Sequence, residues 1–291
     1  MNQTRSLEAR RASWILASPL LIFFAALLVL PIYLGLRTSL SRDRFSNPEV
    51  ELSGIENYVA LLGDPDFWES IRFTLTFAII ATSLQLVLGF LLALIFDRNV
   101  PGKKYLFSAV LIPIMIAPSL MAVMYRLLLN ENIGIVPAFF GLFNIEVTLF
   151  SPNALFPLLI LLDCIQFVPF TFLLFYASLQ NVPDELYEAA SIDGSSYAET
   201  VRRIVIPLLK PAIVVVILLR FLEGIRNFDV IYILTGGGPG TMTQTVGIYI
   251  YKTAFSQGDF GLAAAASVVL VLLLAPFTPW IIKRLSTSEQ Q

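Results

Sequence analysis

Of the 291 residues, 57% are hydrophobic and only 14% are charged, and the mean hydropathy is positive, so the chain carries several apolar segments rather than one soluble core. A net charge of -2 and a sequence pI of about 5.3 give no general pull toward nucleic acid. There is no histidine, which excludes histidine-dependent zinc sites, imidazole bases and Ser-His-Asp triads, and the lone Cys164 sits in an apolar run, reads as a small buried hydrophobe and permits no intrachain disulfide.

In chain order, residues 1–13 form a polar segment with Arg5, Arg10 and Arg11, and residues 14–36 are apolar, too long for a signal-peptide core and long enough for a first spanning helix. Pro19 and Pro31 lie inside that run, where neighbouring helices can satisfy the freed carbonyls. Residues 38–70 turn polar and read as a water-facing loop with an interfacial helix anchored by Trp68. Residues 71–96 suffice for a second span at about 1.5 Å per residue across about 30 Å of hydrocarbon. The basic turn 97–104 follows. Residues 105–129 predict a third, bent span, with Pro113 and Pro118 among Met115, Met121 and Met124. Residues 130–153 are cut by Gly134, Pro137, Gly141, Asn144 and Glu146 and read as an outer interfacial loop. A fourth span is expected over 154–180, containing Pro157, Asp163, Gln166 and Pro169.

Between the fourth span and the next lies a polar island. Pro183, Asp184 and Glu185 supply a helix start, Ala189 and Ala190 offer a bare surface for another protein, Gly194 breaks the helix, and a second short helix through Tyr197, Val201 and Ile204 closes at Pro207. The spacing of Glu188, Ala189 and Ala190, then Asp193 and Gly194, then Ile204, Ile206, Pro207 and Pro211 resembles the EAA loop of permease subunits in binding-protein-dependent ABC importers. Ile206 stands where that family usually has Leu, and Val201 where it often has Phe. The resemblance implies that Glu188, Ala189, Ala190, Asp193, Gly194, Ile204 and Pro207 form a cytoplasmic coupling helix that docks on an ATPase. An ordinary amphipathic loop with a helix break is the plainer reading.

A fifth span is expected over 208–234. Arg220, Glu223 and Asn227 share one face there, and Arg220 lies 13 residues past Pro207, about 20 Å along the helix. A charge at that depth is expensive and is usually paired, so these residues, with Phe228 and Gln166, are candidates for lining a translocation path or forming a gate pair. An intrahelical Arg220–Glu223 pair serving structure alone is the alternative. Phe167, Phe170, Tyr176 and Phe228 can stack on sugar rings or simply pack. The stretch with Gly236, Gly237, Gly238 and Pro239 lacks the lysine of a phosphate loop, and it is similar to the extracytoplasmic segment that faces the binding protein in sugar permeases. A sixth span over 262–282 and a tail at 285–291 complete the chain.

The resemblance extends over nearly the whole sequence, including the opening of the first span and residues 54–74, and points to the maltose, trehalose and glycerol-phosphate branch. The expected fold is all-α: a polytopic permease domain over 14–284 with six transmembrane helices, its coupling loop at 181–207. What the resemblance implies is transport of a carbohydrate or polyol phosphate by alternating access, with no catalysis and no cofactor in this chain. ATP and Mg would belong to two partner ATPase subunits. The other partners implied are a second, related permease, making a heterodimer, and an extracytoplasmic substrate-binding protein, in a bacterial or archaeal cytoplasmic membrane. A secondary transporter would need inverted repeats and midplane ion ligands, and a membrane-embedded enzyme would need paired acids and a nucleophile; neither pattern is present.

Orientation follows from the basic residues. With both termini inside, Arg5, Arg10, Arg11, Arg98, Lys103, Lys104, Arg202, Arg203, Lys210, Lys283 and Arg284, 11 of the 19 lysines and arginines, are cytoplasmic. Cysteines introduced at Gly102 and Ser195 should therefore react only with reagents that reach the cytoplasm, and those at Ser53 and Thr241 only from outside. Labelling of Ser53 and Ser195 from the same side would contradict three spans between them.

Overall fold

The computed structural model describes residues 2–44, 47–98, 100–145 and 148–275, with side chains outside the description at 2–15, Leu21 and 47–50. The far end of the expected sixth span, the tail at 285–291, Lys283 and Arg284 all lie outside the described residues. The order of elements is α1 (Asn2–Ser39), β1 (Ser41–Arg44), β2 (Asn47–Leu52), α2 (Glu56–Leu62), α3 (Pro65–Asp97), α4 (Lys103–Leu111), α5 (Pro118–Leu128), α6 (Ile135–Gly141), α7 (Pro152–Leu179), α8 (Asp184–Ile192), α9 (Tyr197–Thr200), α10 (Ile206–Leu208), α11 (Lys210–Ile225), α12 (Asp229–Thr235), α13 (Val246–Tyr251) and α14 (Phe260–Leu274). Single 3-10 or π-helical turns fill Pro113–Met115, Val201–Val205 and Lys252–Ser256.

The chain divides into two compact units. In the first, made of Met1–Asp64 and Ile250–Leu274, α1 packs against α14 while its apolar side chains from Leu16 to Leu36 stay largely exposed, as a lipid-facing span requires. The polar loop after α1 contains an antiparallel hairpin, β1 with β2, which an all-helical reading does not anticipate. Arg44 bridges to Asp259 through both backbone and side chain, at 2.9 Å, and Asn57 donates to the carbonyls of Ser39 and Ser41, each at 2.9 Å. Gly261 fits under this knot because a Cβ there would lie 2.4 Å from the Ser41 carbonyl.

The second unit, built on Pro65–Tyr249, is organised by α3 against α7. Along α3, Phe73, Phe77, Ala81, Gln85, Gly89, Ala93 and Phe96 are buried at spacings of four and three, one continuous stripe. Gly89 lets the two helices meet, since a Cβ there would fall 2.1 Å from Thr171 Oγ1 and 2.9 Å from the Phe172 nitrogen. Gly224 does the same for α11, with Ala78 3.1 Å from its virtual Cβ. Phenylalanines 73, 77 and 156 cluster at one end of this core, and Phe96, Phe107, Phe172 and Tyr176 at the other.

Among the described residues, three helices are long and apolar enough to cross a membrane, Leu16–Ser39, Pro65–Asp97 and Pro152–Leu179. Two further helix pairs meet the same condition only when joined across a bend, Lys103–Met115 with Pro118–Leu128, and the second platform helix Tyr197–Leu208 with Lys210–Thr235. The first pair, at the expected third span, bends by 95° between Met115 and Pro118, since the backbone before a proline avoids the helical region, and the second, at the expected fifth, bends by 72° at Leu209. Pro207 therefore does not close its helix, which runs on to Leu208. The fifth span is interrupted again between Ile225 and Asp229. Counting each bent pair once gives up to five spans among the described residues, and the apolar helix Phe260–Leu274 runs to the edge of them.

Candidate functional site

The interior of the second unit holds a polar cluster where an apolar core would be expected. Arg220 on α11 and Asp163 on α7 are each 2% exposed, and Gln85 on α3 is fully buried. Gln85 bridges the two charges: its Oε1 accepts from Arg220 Nε at 2.8 Å and its Nε2 donates to Asp163 Oδ2 at 2.6 Å. Arg220 Nη2 lies 3.9 Å from Asp163 Oδ2, Nη1 donates to Glu223, and the guanidinium covers the Phe167 ring at 4.1 Å from its centroid. Asn227, in the break after α11, donates to Asp163 Oδ1 at 2.8 Å. Both carboxylate oxygens of Asp163 and at least two donor groups of Arg220 are thus used, which is the condition for burying a charge pair without stranding either member.

The cluster opens into a cavity of about 240 Å³ lined by Pro118, Asp163, Phe167, Arg220, Glu223, Arg226, Asn227, Phe228, Asp229 and Val230. Phe228 stacks on Tyr232 at 5.0 Å and 14°. Of the five sequence candidates, Arg220, Glu223, Asn227 and Phe228 come together here. Gln166 does not: its Nε2 donates to the Ile116 carbonyl at 3.3 Å, in the extended backbone at the break before α5. Glu223, taken from sequence as the partner of Arg220, has a side chain 52% exposed, so the buried counter-charge is Asp163. Gln85 and Asp163 were legible by the same rule that singled out Arg220, since each is a polar residue within a span.

The Glu188 platform forms as two short helices on either side of a glycine. Gly194 follows α8 with φ +76°, and the Ser195 nitrogen donates back to the Ala190 carbonyl at 2.9 Å. Ser196 caps α9, accepting from the Glu199 nitrogen at 3.3 Å, and Arg203 pairs with Glu199 at 2.9 Å. Glu188, Ala189, Asp193, Gly194 and Pro207 are exposed and Ile204 half-buried, but Ala190 is 4% exposed. Only Ala189 offers the bare surface expected of the alanine pair, because Ala190, about 100° further round α8, faces inward. The apolar side chain α8 does present is Ile192, 85% exposed. Beside the platform, Asp97 accepts from Gln180 at 3.2 Å and from the Tyr187 hydroxyl at 3.5 Å. Burial, and next the Asp97 charge, push the Tyr187 hydroxyl up to about 12.

The glycine-rich segment is a closed loop. Gly236 ends α12 at φ +59°, and Gly237 and Gly240 also take positive φ. Thr243 holds the loop shut, its hydroxyl donating to the Gly238 carbonyl at 2.8 Å and lying 2.8 Å from the Thr235 hydroxyl. Its Gly237 is buried, whereas Pro239, Gly240 and Met242 are exposed at the tip.

The model for the family described as "binding-protein-dependent transport system inner membrane component" matches residues 85–287. The trehalose/maltose transport system permease protein MalF of Thermococcus litoralis is 34% identical over 281 residues, covering 95% of each chain. The trehalose transport system permease protein SugA of Mycobacterium tuberculosis is 31% identical, covering 90% of this chain and 84% of that one. Among solved structures, a chain of a bacterial ABC transporter that imports the acidic polysaccharide alginate superposes with a TM-score of 0.81 over 98% of this chain and 99% of that chain, at 22% identity, so the fold is shared. The stretch with the polar cluster, the two-helix platform and the closed glycine loop lies within or at the edge of the matched region, and the chain belongs to the family of inner membrane components of binding-protein-dependent transport systems.

Proposed function

We propose that the chain is the permease subunit of an ATP-driven importer of a carbohydrate or polyol phosphate, working by alternating access. The observation that carries this reading is the 34% identity with a trehalose/maltose permease over 95% of both chains. A second, related permease would complete the path. Two ATPase subunits carrying ATP and Mg would dock on the exposed face of α8 at Glu188, Ala189 and Asp193. An extracytoplasmic binding protein would deliver substrate near Pro239, at the tip of the glycine loop. The binding-protein partner is supported by a solved alginate transporter in complex with its substrate-loaded periplasmic protein, whose fold this chain shares with a TM-score of 0.80.

Chemically, the cavity beside Arg220 suits a polyhydroxylated ligand. Glu223, Asp229 and Asn227 offer hydroxyl acceptors, Arg226 offers donors, and the Phe228 ring gives a flat face for sugar C–H groups. The proposed role of the Gln85, Asp163 and Arg220 bonds is to hold these groups in place while the broken spans α4–α5 and α10–α11 change angle around them.

Coupling is tested with Glu188→Lys and a bulky replacement of Gly194, which should leave an inserted protein that no longer transports because the ATPase does not dock or respond. Normal transport with the ATPase retained would refute the assignment. The cluster is tested by stability and uptake. Arg220→Leu strands the buried Asp163 carboxylate and should cost about 3–5 kcal/mol, and Asp163→Ala leaves Arg220 only the solvent-facing Glu223 and should also destabilise, whereas the Asp163→Ala, Arg220→Leu double variant should recover much of the stability without recovering transport. Glu223→Ala should be milder, since its carboxylate already meets solvent. Additive, mild losses in the Asp163→Ala and Arg220→Leu single variants and their double would mean that water reaches these charges and that they have no part in the path.

A further inference from the structure

Helix α3 reaches both functional regions. Gln85 bonds Arg220 and Asp163 in the interior, and Asp97 lies 12 residues further on, about 18 Å along the helix. There Asp97 takes hydrogen bonds from Gln180 and from Tyr187 on α8, while the next residue, Arg98, lies over the ring of Tyr197, the first residue of α9, at 3.9 Å from the centroid. Two adjacent residues therefore hold the two helices of the platform, one each. The platform needs such holding. Its helices meet at a turn through Gly194, and a cavity of about 640 Å³ lined by Asp97, Gln180, Pro183, Tyr187, Glu188 and Tyr197 opens beside α8, so close packing does not fix α8 on that side. Asp97 is half-buried and Arg98 exposed, so these contacts add little stability and much orientation. The raised Tyr187 hydroxyl keeps its proton at physiological pH and acts toward Asp97 as a donor.

We propose that Asp97 and Arg98 are positioning residues for energy coupling: they clasp both platform helices to the end of α3, so that rearrangement of the polar cluster gripped by Gln85 is delivered to the surface that meets the ATPase. The proposal rests on the coupling role assigned to Glu188 above.

The test uses the assembled importer in nanodiscs, with nitroxide labels at Ser83 on α3 and Ser195 on the platform, and compares nucleotide-free protein with protein held by Mg-ATP and vanadate. The intact clasp should give a narrow distance distribution in each state. Asp97→Ala and Arg98→Ala should broaden both distributions and slow ATP hydrolysis between about two- and thirtyfold, with the ATPase subunits still bound. Arg98→Lys, which keeps a cation over the ring, should restore most of the rate. If Asp97→Ala fails to insert, Tyr187→Phe, which removes one hydroxyl and no packing, should broaden the distributions to a smaller extent. Unchanged distances and rates would overturn the proposal. So would loss of the ATPase subunits, which would make the pair part of the docking surface itself. Failure of the underlying coupling assignment is separately visible, as Glu188→Lys with ATPase binding and hydrolysis intact.

Discussion

The constraint on which the second unit depends is the burial of the Arg220 guanidinium in an apolar interior. A lone cation at the centre of a span costs about 2.5–3.5 kcal/mol even on insertion scales, and the chain offsets this with Asp163, Gln85, Glu223 and the face of Phe167. Those partners come from α3, α7 and α11, so satisfying one charge fixes the mutual register of three helices. The close approaches at Gly89 and Gly224 allow that register, because a side chain at either position would push α7 or α11 away from α3. Polar satisfaction and apolar packing thus impose the same arrangement, the kind of agreement between levels that specifies a single structure.

Around that centre two helix pairs are sharply bent. The chain bends by 95° before α5, where Gln166 donates to the Ile116 carbonyl, and by 72° at Leu209, whose own carbonyl accepts from the Ile213 nitrogen. The platform repeats the theme at the surface, with two short helices joined at Gly194 and held from outside by α3.

Much of this was legible in the sequence. The spans over α3 and α7 followed from long apolar runs between polar turns, and the platform followed from Pro183, Gly194 and the spacing to Pro207. Arg220, Glu223 and Asn227 were found because polar residues in an apolar run must have partners. What stayed hidden was the identity of those partners. Helical periodicity places residues on a face of their own helix, so Glu223, three residues from Arg220, was visible as a partner, whereas Gln85 and Asp163, 135 and 57 positions away, are brought in by tertiary packing alone. The same limit explains Gln166 and Ala190: each was read from its own segment, and each is claimed by a neighbouring one. The hairpin of β1 and β2 escaped because β1 has no hydrophobic residue, and the alternation in β2, Val50 and Leu52 with glutamates, is too short to stand out from a polar loop.

The central claim is that the cavity beside Arg220 lies on a route open to one side of the membrane at a time. It is tested most directly by a cysteine at Phe228 in a Cys164→Ala background, probed with a membrane-impermeant thiol reagent from each side of importer-containing vesicles. Measurements are made in the resting state and with the ATPase held by Mg-ATP and vanadate. The account predicts that the side from which Phe228→Cys reacts switches between the two states. Reaction from the same side in both, or from neither side in either, would contradict it.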